Sequence, residues 1–352
     1  MSDLSECAAR VIAVGVPGPA LDDATRRLLE RLRPGAVVLF ARNVVDPEQL
    51  RALTDDLHRL PSRPLIAIDH EGGRVTRLHA PFTEFPPAAV VGRAGSEAAA
   101  QVGRAIGREL AAAGIDIDFA PVLDVASEDG SALGDRVFAA DPDRVAAIAV
   151  AFARGLLDAG VLPCGKHFPG HGHTSADSHF VCPVVDRSRE ELEADLLPFR
   201  VAIDAGLPML MTAHVRYPAL DPDAVATLSP RIAGDLLRGE LGFAGVLWSD
   251  HLGMGAVQAE HPPARAALLA VRAGVDGVLL CHELDDAEDV AATLCRAVAD
   301  GELPAARLRE AAGRIAALGA GRGRSPALPM PIDEHQRLAI RVRDMAAATR
   351  AC

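Results

Sequence analysis

The stretch CGKHFPGHGHTSADSHF, Cys164 to Phe180, gathers side chains that move protons or hold charge. Four of the chain's 12 histidines lie in it, with Lys166, the one lysine among 36 basic residues. Lysine is a compact ammonium on a flexible stem, whereas arginine is a wide planar fork. A position that keeps lysine in a chain otherwise built with arginine calls for a small point charge in a confined space. In the same stretch, Asp177 and His179 stand two residues apart. In extended backbone that spacing turns both side chains to one side. A carboxylate beside an imidazole fixes its tautomer and makes it a usable proton donor near neutrality.

Three chemistries fit these residue types. The segment HGHTSADSH, 171–179, holds three histidines and an aspartate, which suits a metal-dependent hydrolase. Against that, the segment is a glycine-rich loop rather than a rigid helix face, and it follows a late strand. The second is metal-free acid–base catalysis: His179 as proton donor, Asp177 as its partner, and Asp250 of GVLWSD as a nucleophile for a sugar carbon. The third is a protein that binds in the same cleft without turning its ligand over.

The elements that would position these groups alternate along the chain. Short apolar runs (RVIAVGV, AVVLF, PLIAID, DIDFAPVLDV, LPCGKHF, PMLMTAHV, GVLWSD and GVLLCHE) read as strands. Between most of them lie segments with apolar residues at three- and four-residue steps, such as DPEQLRALTDDLHRL and SREELEADLLPFRVAIDAG. Asp-Pro or Ser opens several of these, and Ser188 with Glu191 has capping-box spacing. Eight strands alternating with helices predict an α/β fold, a closed (β/α)8 barrel of TIM type. The first strand leads into GVPGPALDDA, without the GxGxxG turn of an open dinucleotide-binding sheet. Residues 1–325 are expected to form the barrel, and 326–352 a short helical extension packed on its outside.

Barrel chemistry sits at the C-terminal strand ends. Those ends carry Arg42 and Asn43, Asp69 and Glu71, Asp124, Lys166 and His167, His214, Asp250, and His282 and Glu283. Lys166 is expected to point into a cleft ringed by Asp69, Asp124 and Asp250.

Composition narrows the function classes. The net charge of -12, with one Trp and one Tyr, argues against nucleic acid or an anionic membrane as partner. The opening MSDLSECAARVIAVGVPG lacks a basic n-region, and no run is long enough to span a bilayer. The cysteines at 7, 164, 182, 281, 295 and 352 form no close CxxC pair and read as free thiols. A cytoplasmic location is expected.

The ordered landmarks VVLFARN (37–43), IDHEGGRVTRL (68–78), DIDFAPVLDV (116–125), GDRVF (134–138), KHFPGHG followed by DSH (166–179), MTAHVRYPALD (211–221), ATLSP (226–230) and LRGELGFAGVLWSDHLGM (237–254) resemble the glycoside hydrolase family 3 β-N-acetylglucosaminidases. The resemblance covers roughly residues 10 to 300. It implies a barrel and a retaining mechanism with no cofactor or metal. By position, it makes Asp250 the nucleophile, His179 the general acid/base and Asp177 its partner. Asp69, Arg77, Arg136, Lys166 and His167 match residues that bind the terminal N-acetylglucosamine. The implied partner is a small glycan or muropeptide from cell-wall recycling, with N-acetylglucosamine cut from 1,6-anhydro-muramoyl peptides. Transfer of the sugar to phosphate rather than water is a variant of the same mechanism. His251 stands where an acidic residue is common, His173 adds an imidazole to the loop, and Trp248 replaces an aliphatic and reads as core packing.

Overall fold

The computed structural model describes residues 3–127, 132–174, 178, 181–282, 284–320 and 331–349. Its centre is a closed barrel of parallel strands: β1 (Ile12–Gly15), β2 (Ala36–Leu39), β3 (Leu65–Ile68), β4 (Ile117–Asp118), β5 (Leu162–Phe168), β6 (Met209–Thr212), β9 (Val246–His251) and β10 (Gly277–Leu280). The strands follow one another around the barrel in chain order, and β10 closes it by pairing with β1, Ile12 opposite Val278. A short antiparallel hairpin, β7 (Arg216–Tyr217) and β8 (Asp221–Val225), sits between β6 and β9 in the chain. The expected α/β barrel is therefore what forms.

The reason is local. Strands such as LIAI and AVVL are apolar at every position because both of their faces are buried. The intervening helices are started by side chains that accept from otherwise orphaned N–H groups. Asp46 accepts from the Gln49 amide and Asp141 from the Arg144 amide, each at 2.8 Å and each followed by proline. Ser188 and Glu191 exchange the two bonds of a capping box, at 3.2 and 2.8 Å.

The apolar run at 116–125 does not pair throughout. β4 is two residues long, yet the chain beyond it still bonds to β5, Cys164 N donating to Ala120 O at 2.9 Å and Lys166 N to Pro121 O at 3.1 Å. The bonding continues past Pro121, where Leu123 N donates to Lys166 O at 2.6 Å. Trp248 is fully buried, as a packing residue should be. Its indole packs edge-on against Phe119, and a Cβ on Gly277 would stand 2.1 Å from it. The glycine is what lets β10 pass the indole.

At the opposite end from the strand tips, Asp276 precedes β10 with no exposed surface. It accepts from Arg238 Nη2 at 2.5 Å, Arg307 Nη2 at 2.6 Å, Arg314 Nη1 at 3.1 Å and the Leu247 amide at 3.0 Å. The helix Ile332–Ala348 lies against the helices Ala88–Ala94 and Ser96–Ala112. It is tied there by His335 Nδ1 and Glu109 Oε1 at 2.7 Å, both buried. The boundary expected at 325 falls outside the described residues.

Candidate active site

The C-terminal strand ends enclose a cleft of about 290 Å³. Asp69 from the end of β3, Arg77 and Arg136 from the loops after β3 and β4, Lys166 and His167 from β5 and Asp250 from β9 all line it. Six of the eight site residues expected from sequence are thus brought together. The other two, Asp177 and His179, lie outside the described residues, as does the strand-end acid Glu283. Ser178 is described: it lines the cleft, with its Oγ 3.2 Å from His171 Nε2.

Lys166 is 2% exposed, and its ammonium lies 2.6 Å from Asp69 Oδ1 and 2.7 Å from Glu71 Oε1. Arg136 grips Glu71 with two bonds, Nε to Oε2 at 2.9 Å and Nη2 to Oε1 at 2.8 Å. Arg77 Nη2 stands 3.9 Å from Asp69 Oδ2. Burial alone would raise the Glu71 carboxyl, but Lys166 and Arg136 outweigh it and hold Glu71 well below the ordinary range. Burial also works against the charge on Lys166, and here too the carboxylates win, raising the ammonium above its usual value. This accounts for the single lysine. The space between two carboxylates takes a point charge and leaves little room for a planar fork.

Asp124 does not ring the cleft as expected; it lies beneath it, with no exposed surface. Its oxygens accept from His167 Nδ1 at 2.7 Å, from the His167 amide at 3.2 Å and from the His171 amide at 2.6 Å. It is a support that fixes the His167 ring and leaves Nε2 toward the cleft. His167 and His171 keep the Asp124 carboxyl low against its burial.

Asp250 is half-buried at the floor. Burial pushes its carboxyl up, but His214, His167, the His251 N–H and Lys166 together bring it down to about 2. The His251 amide donates to Asp250 Oδ1 at 2.7 Å. His214 is held from both sides, by Thr227 Oγ1 at 2.7 Å and by the His251 carbonyl at 3.0 Å, which accepts from Nε2. A carboxylate kept ionised, in a cleft whose lining also holds Arg77, Arg136 and Lys166, can meet a positive carbon while the cations bind a polyhydroxylated ring.

The histidines of uncertain role have structural partners. His251 Nδ1 takes the Cys281 amide at 3.2 Å, which joins the tips of β9 and β10. His173 is pinned by Arg187 Nη1 at 2.6 Å and Asp195 Oδ1 at 3.2 Å. His171 has Thr174 on Nδ1 at 2.7 Å and Ser178 on Nε2. His171 and His173 thus face different partners, and no group of three metal-ligating side chains occurs among the described residues. His282, one of the strand-end residues expected, also lines the cleft, whereas sequence reasoning did not place the apolar wall, Phe40, Met211, Met254 and Leu279, or the cleft roles of Arg74 and Cys281. Of these, Phe40 at a strand end was the most accessible to it.

Comparison with known proteins bears on the chemistry. A model of the glycosyl hydrolase family 3 N-terminal domain matches residues 4–318. The β-hexosaminidase of Alkalilimnicola ehrlichii is 46% identical over 280 residues, covering 77% of this chain and 80% of that protein. A family 3 β-N-acetylglucosaminidase from Paenibacillus sp. str. FPU-7 superposes with a TM-score of 0.92 at 35% identity, over 98% of this chain and 69% of that one. NagZ from Neisseria gonorrhoeae, in complex with N-trifluoroacetyl-D-glucosamine, superposes with a TM-score of 0.81 at 34% identity, over 96% and 98%. With a matched barrel, a cleft at the strand tips and relatives of this identity, the chain belongs to glycosyl hydrolase family 3, as one of its β-N-acetylhexosaminidases.

Proposed function

We propose that this hexosaminidase is a retaining exo-enzyme that removes terminal N-acetylglucosamine from β-linked glycans, its natural substrates being muropeptides of the GlcNAc-1,6-anhydro-MurNAc type in the cytoplasm. The observation that carries the reading is the place of Asp250 on the floor of a small cleft whose walls hold Asp69, Arg77, Arg136, Lys166 and His167. The cleft volume of about 290 Å³ suits one sugar ring rather than a length of polymer. The likeness to a NagZ that carries a glucosamine derivative supports the sugar. No helix among the described residues is long and apolar enough to cross a membrane.

The mechanism has two displacements. Asp250 attacks the anomeric carbon while His179, oriented by Asp177, protonates the glycosidic oxygen. The C–O bond breaks with its electron pair going to that oxygen, and a glycosyl–aspartate forms. His179 then takes a proton from water as the water oxygen attacks the same carbon, which frees Asp250 and releases the sugar with retained configuration. Asp69, Arg77, Arg136, Lys166 and His167 hold the ring. The helix Ile332–Ala348 serves as an appendage to the barrel, tied through His335.

The test is incubation with a chromogenic N-acetyl-β-glucosaminide and with a disaccharide-peptide from digested cell wall, each with and without phosphate. Free β-configured N-acetylglucosamine in all arms is expected. Inverted product rejects the retaining mechanism, and sugar phosphate in the phosphate arms replaces water by phosphate as acceptor. Inertness toward the disaccharide-peptide alone removes the muropeptide assignment.

A further inference from the structure

Glu71, unlike Asp69, is a partner of Lys166 that the cleft does not expose. Its side chain is 4% accessible, and it is absent from the cleft lining, while both of its partners are part of that lining. Its two oxygens take three bonds, one from Lys166 and two from Arg136. Lys166 has three N–H donors; one goes to Glu71 and one to Asp69, leaving one. Arg136 commits its Nε and one N–H of Nη2 to Glu71, the same Nη2 stands 3.5 Å from His167 Nε2, and the Nη1 donors remain. A rigid fork gripped on one edge presents its other edge in a fixed direction.

We propose that Glu71 is a positioning residue that couples Lys166 and Arg136 into one binding unit, so that neither aims its free donors at the sugar without it. Residues 71, 136 and 166 come from three different strand–loop connections, so this bond set also fixes the loop after β4 relative to β5. Glu71 itself touches no substrate atom. The inference rests on the reading of this cleft as the sugar site, but the coupling of the two cations does not.

That difference makes the two separately testable. The chain has one lysine, so lysine labelled with 15N at the ζ position gives a single side-chain ammonium signal. In the native protein that signal should be sharp and slow to exchange at neutral pH, as for a salt-bridged ammonium. In Glu71→Gln, whose amide offers one acceptor oxygen and turns N–H groups toward a cation, it should broaden or vanish through fast exchange. On a chromogenic N-acetyl-β-glucosaminide, Glu71→Gln should raise KM by about tenfold or more and lower kcat by less than about threefold, the pattern of lost ground-state binding. Glu71→Asp keeps the charge but withdraws it by one methylene, and should fall between the two. In a Lys166→Ala background the Glu71→Gln effect on KM should shrink by at least half its logarithm, because the residues act as a unit. An unchanged ammonium signal in Glu71→Gln overturns the proposal, as does an unchanged KM in Glu71→Asp should the amide variant fail to fold. A native protein inert toward the glucosaminide, with the ammonium signal still dependent on Glu71, rejects the sugar reading and leaves the coupling standing.

Discussion

Replacing Asp250 by asparagine removes a charge while keeping nearly all the atoms. The amide oxygen can still accept from the His251 amide, 2.7 Å away in the native chain, and the cleft keeps its shape. What is lost is a carboxylate held ionised down to about pH 2. At a reacting distance of about 3 Å from an anomeric carbon carrying close to a unit positive charge, with an effective dielectric of about 20, that carboxylate contributes ~5–6 kcal/mol. Each ~1.4 kcal/mol is a factor of ten in rate, so kcat should fall by about four orders of magnitude, with the missing covalent bond adding to the loss. The assay is initial-rate hydrolysis of a 4-nitrophenyl N-acetyl-β-glucosaminide, with thermal unfolding recorded on the same preparation. Asp250→Ala runs alongside, because asparagine can deamidate back to the native residue. Both variants folding normally and retaining kcat/KM within tenfold of the native enzyme would refute the role assigned to this carboxylate.

Three further outcomes follow from particular contacts. Burial outweighs the nearby carboxylates and pushes His70 down to about 4. The unfolded chain therefore takes up a proton below about pH 6.5 that the folded chain refuses, and stability is complete above that pH and falls by ~3 kcal/mol on descending to pH 4. Urea unfolding of His70→Gln should show a flatter pH dependence over that window, and an unaltered slope would count against it. Gly277→Ala should cost ~1–3 kcal/mol through overpacking against Trp248, and most of that cost should disappear in a Trp248→Leu background; equal costs in both backgrounds would show that the indole is not the obstacle. His179→Ala should slow substrates with poor leaving groups more than activated aryl glycosides, and equal slowing would argue against a proton-donor role.

The barrel was legible because parallel strands covered on both sides are written as unbroken apolar runs. LIAI and AVVL admit few other readings once amphipathic segments separate them. The extent of β4 was not legible from hydropathy, since the residues after Asp118, Phe119 to Leu123, are as apolar as a strand and still bond to β5. In the site, polar residues at strand tips could be read off in order, and Asp69, Lys166, His167 and Asp250 do converge. Which carboxylate faces the cleft and which works from below could not be read, because it depends on the pleat and on partners far along the chain. Asp124 looked like a wall of the cleft and is instead the anchor of His167 and of the following loop. Glu71 carried no signal beyond its place two residues after Asp69. Its partners stand 65 and 95 positions further on, and only the closed barrel brings them to it. His173 shows the same limit: its imidazole reads as a possible ligand, but its company, Arg187 and Asp195, is supplied by the helix Arg189–Asp204 and the turn before it.

Asp276 and its three arginines have a practical bearing. They draw the helices carrying Arg238, Arg307 and Arg314 onto the seam where β9 meets β10, a full barrel length from Asp250. The two rims thus carry different burdens: one holds the barrel's helices in place, the other shapes the cleft. Engineering for heat tolerance can be confined to the lower rim, where repacking around a single carboxylate leaves the upper rim's geometry as it is.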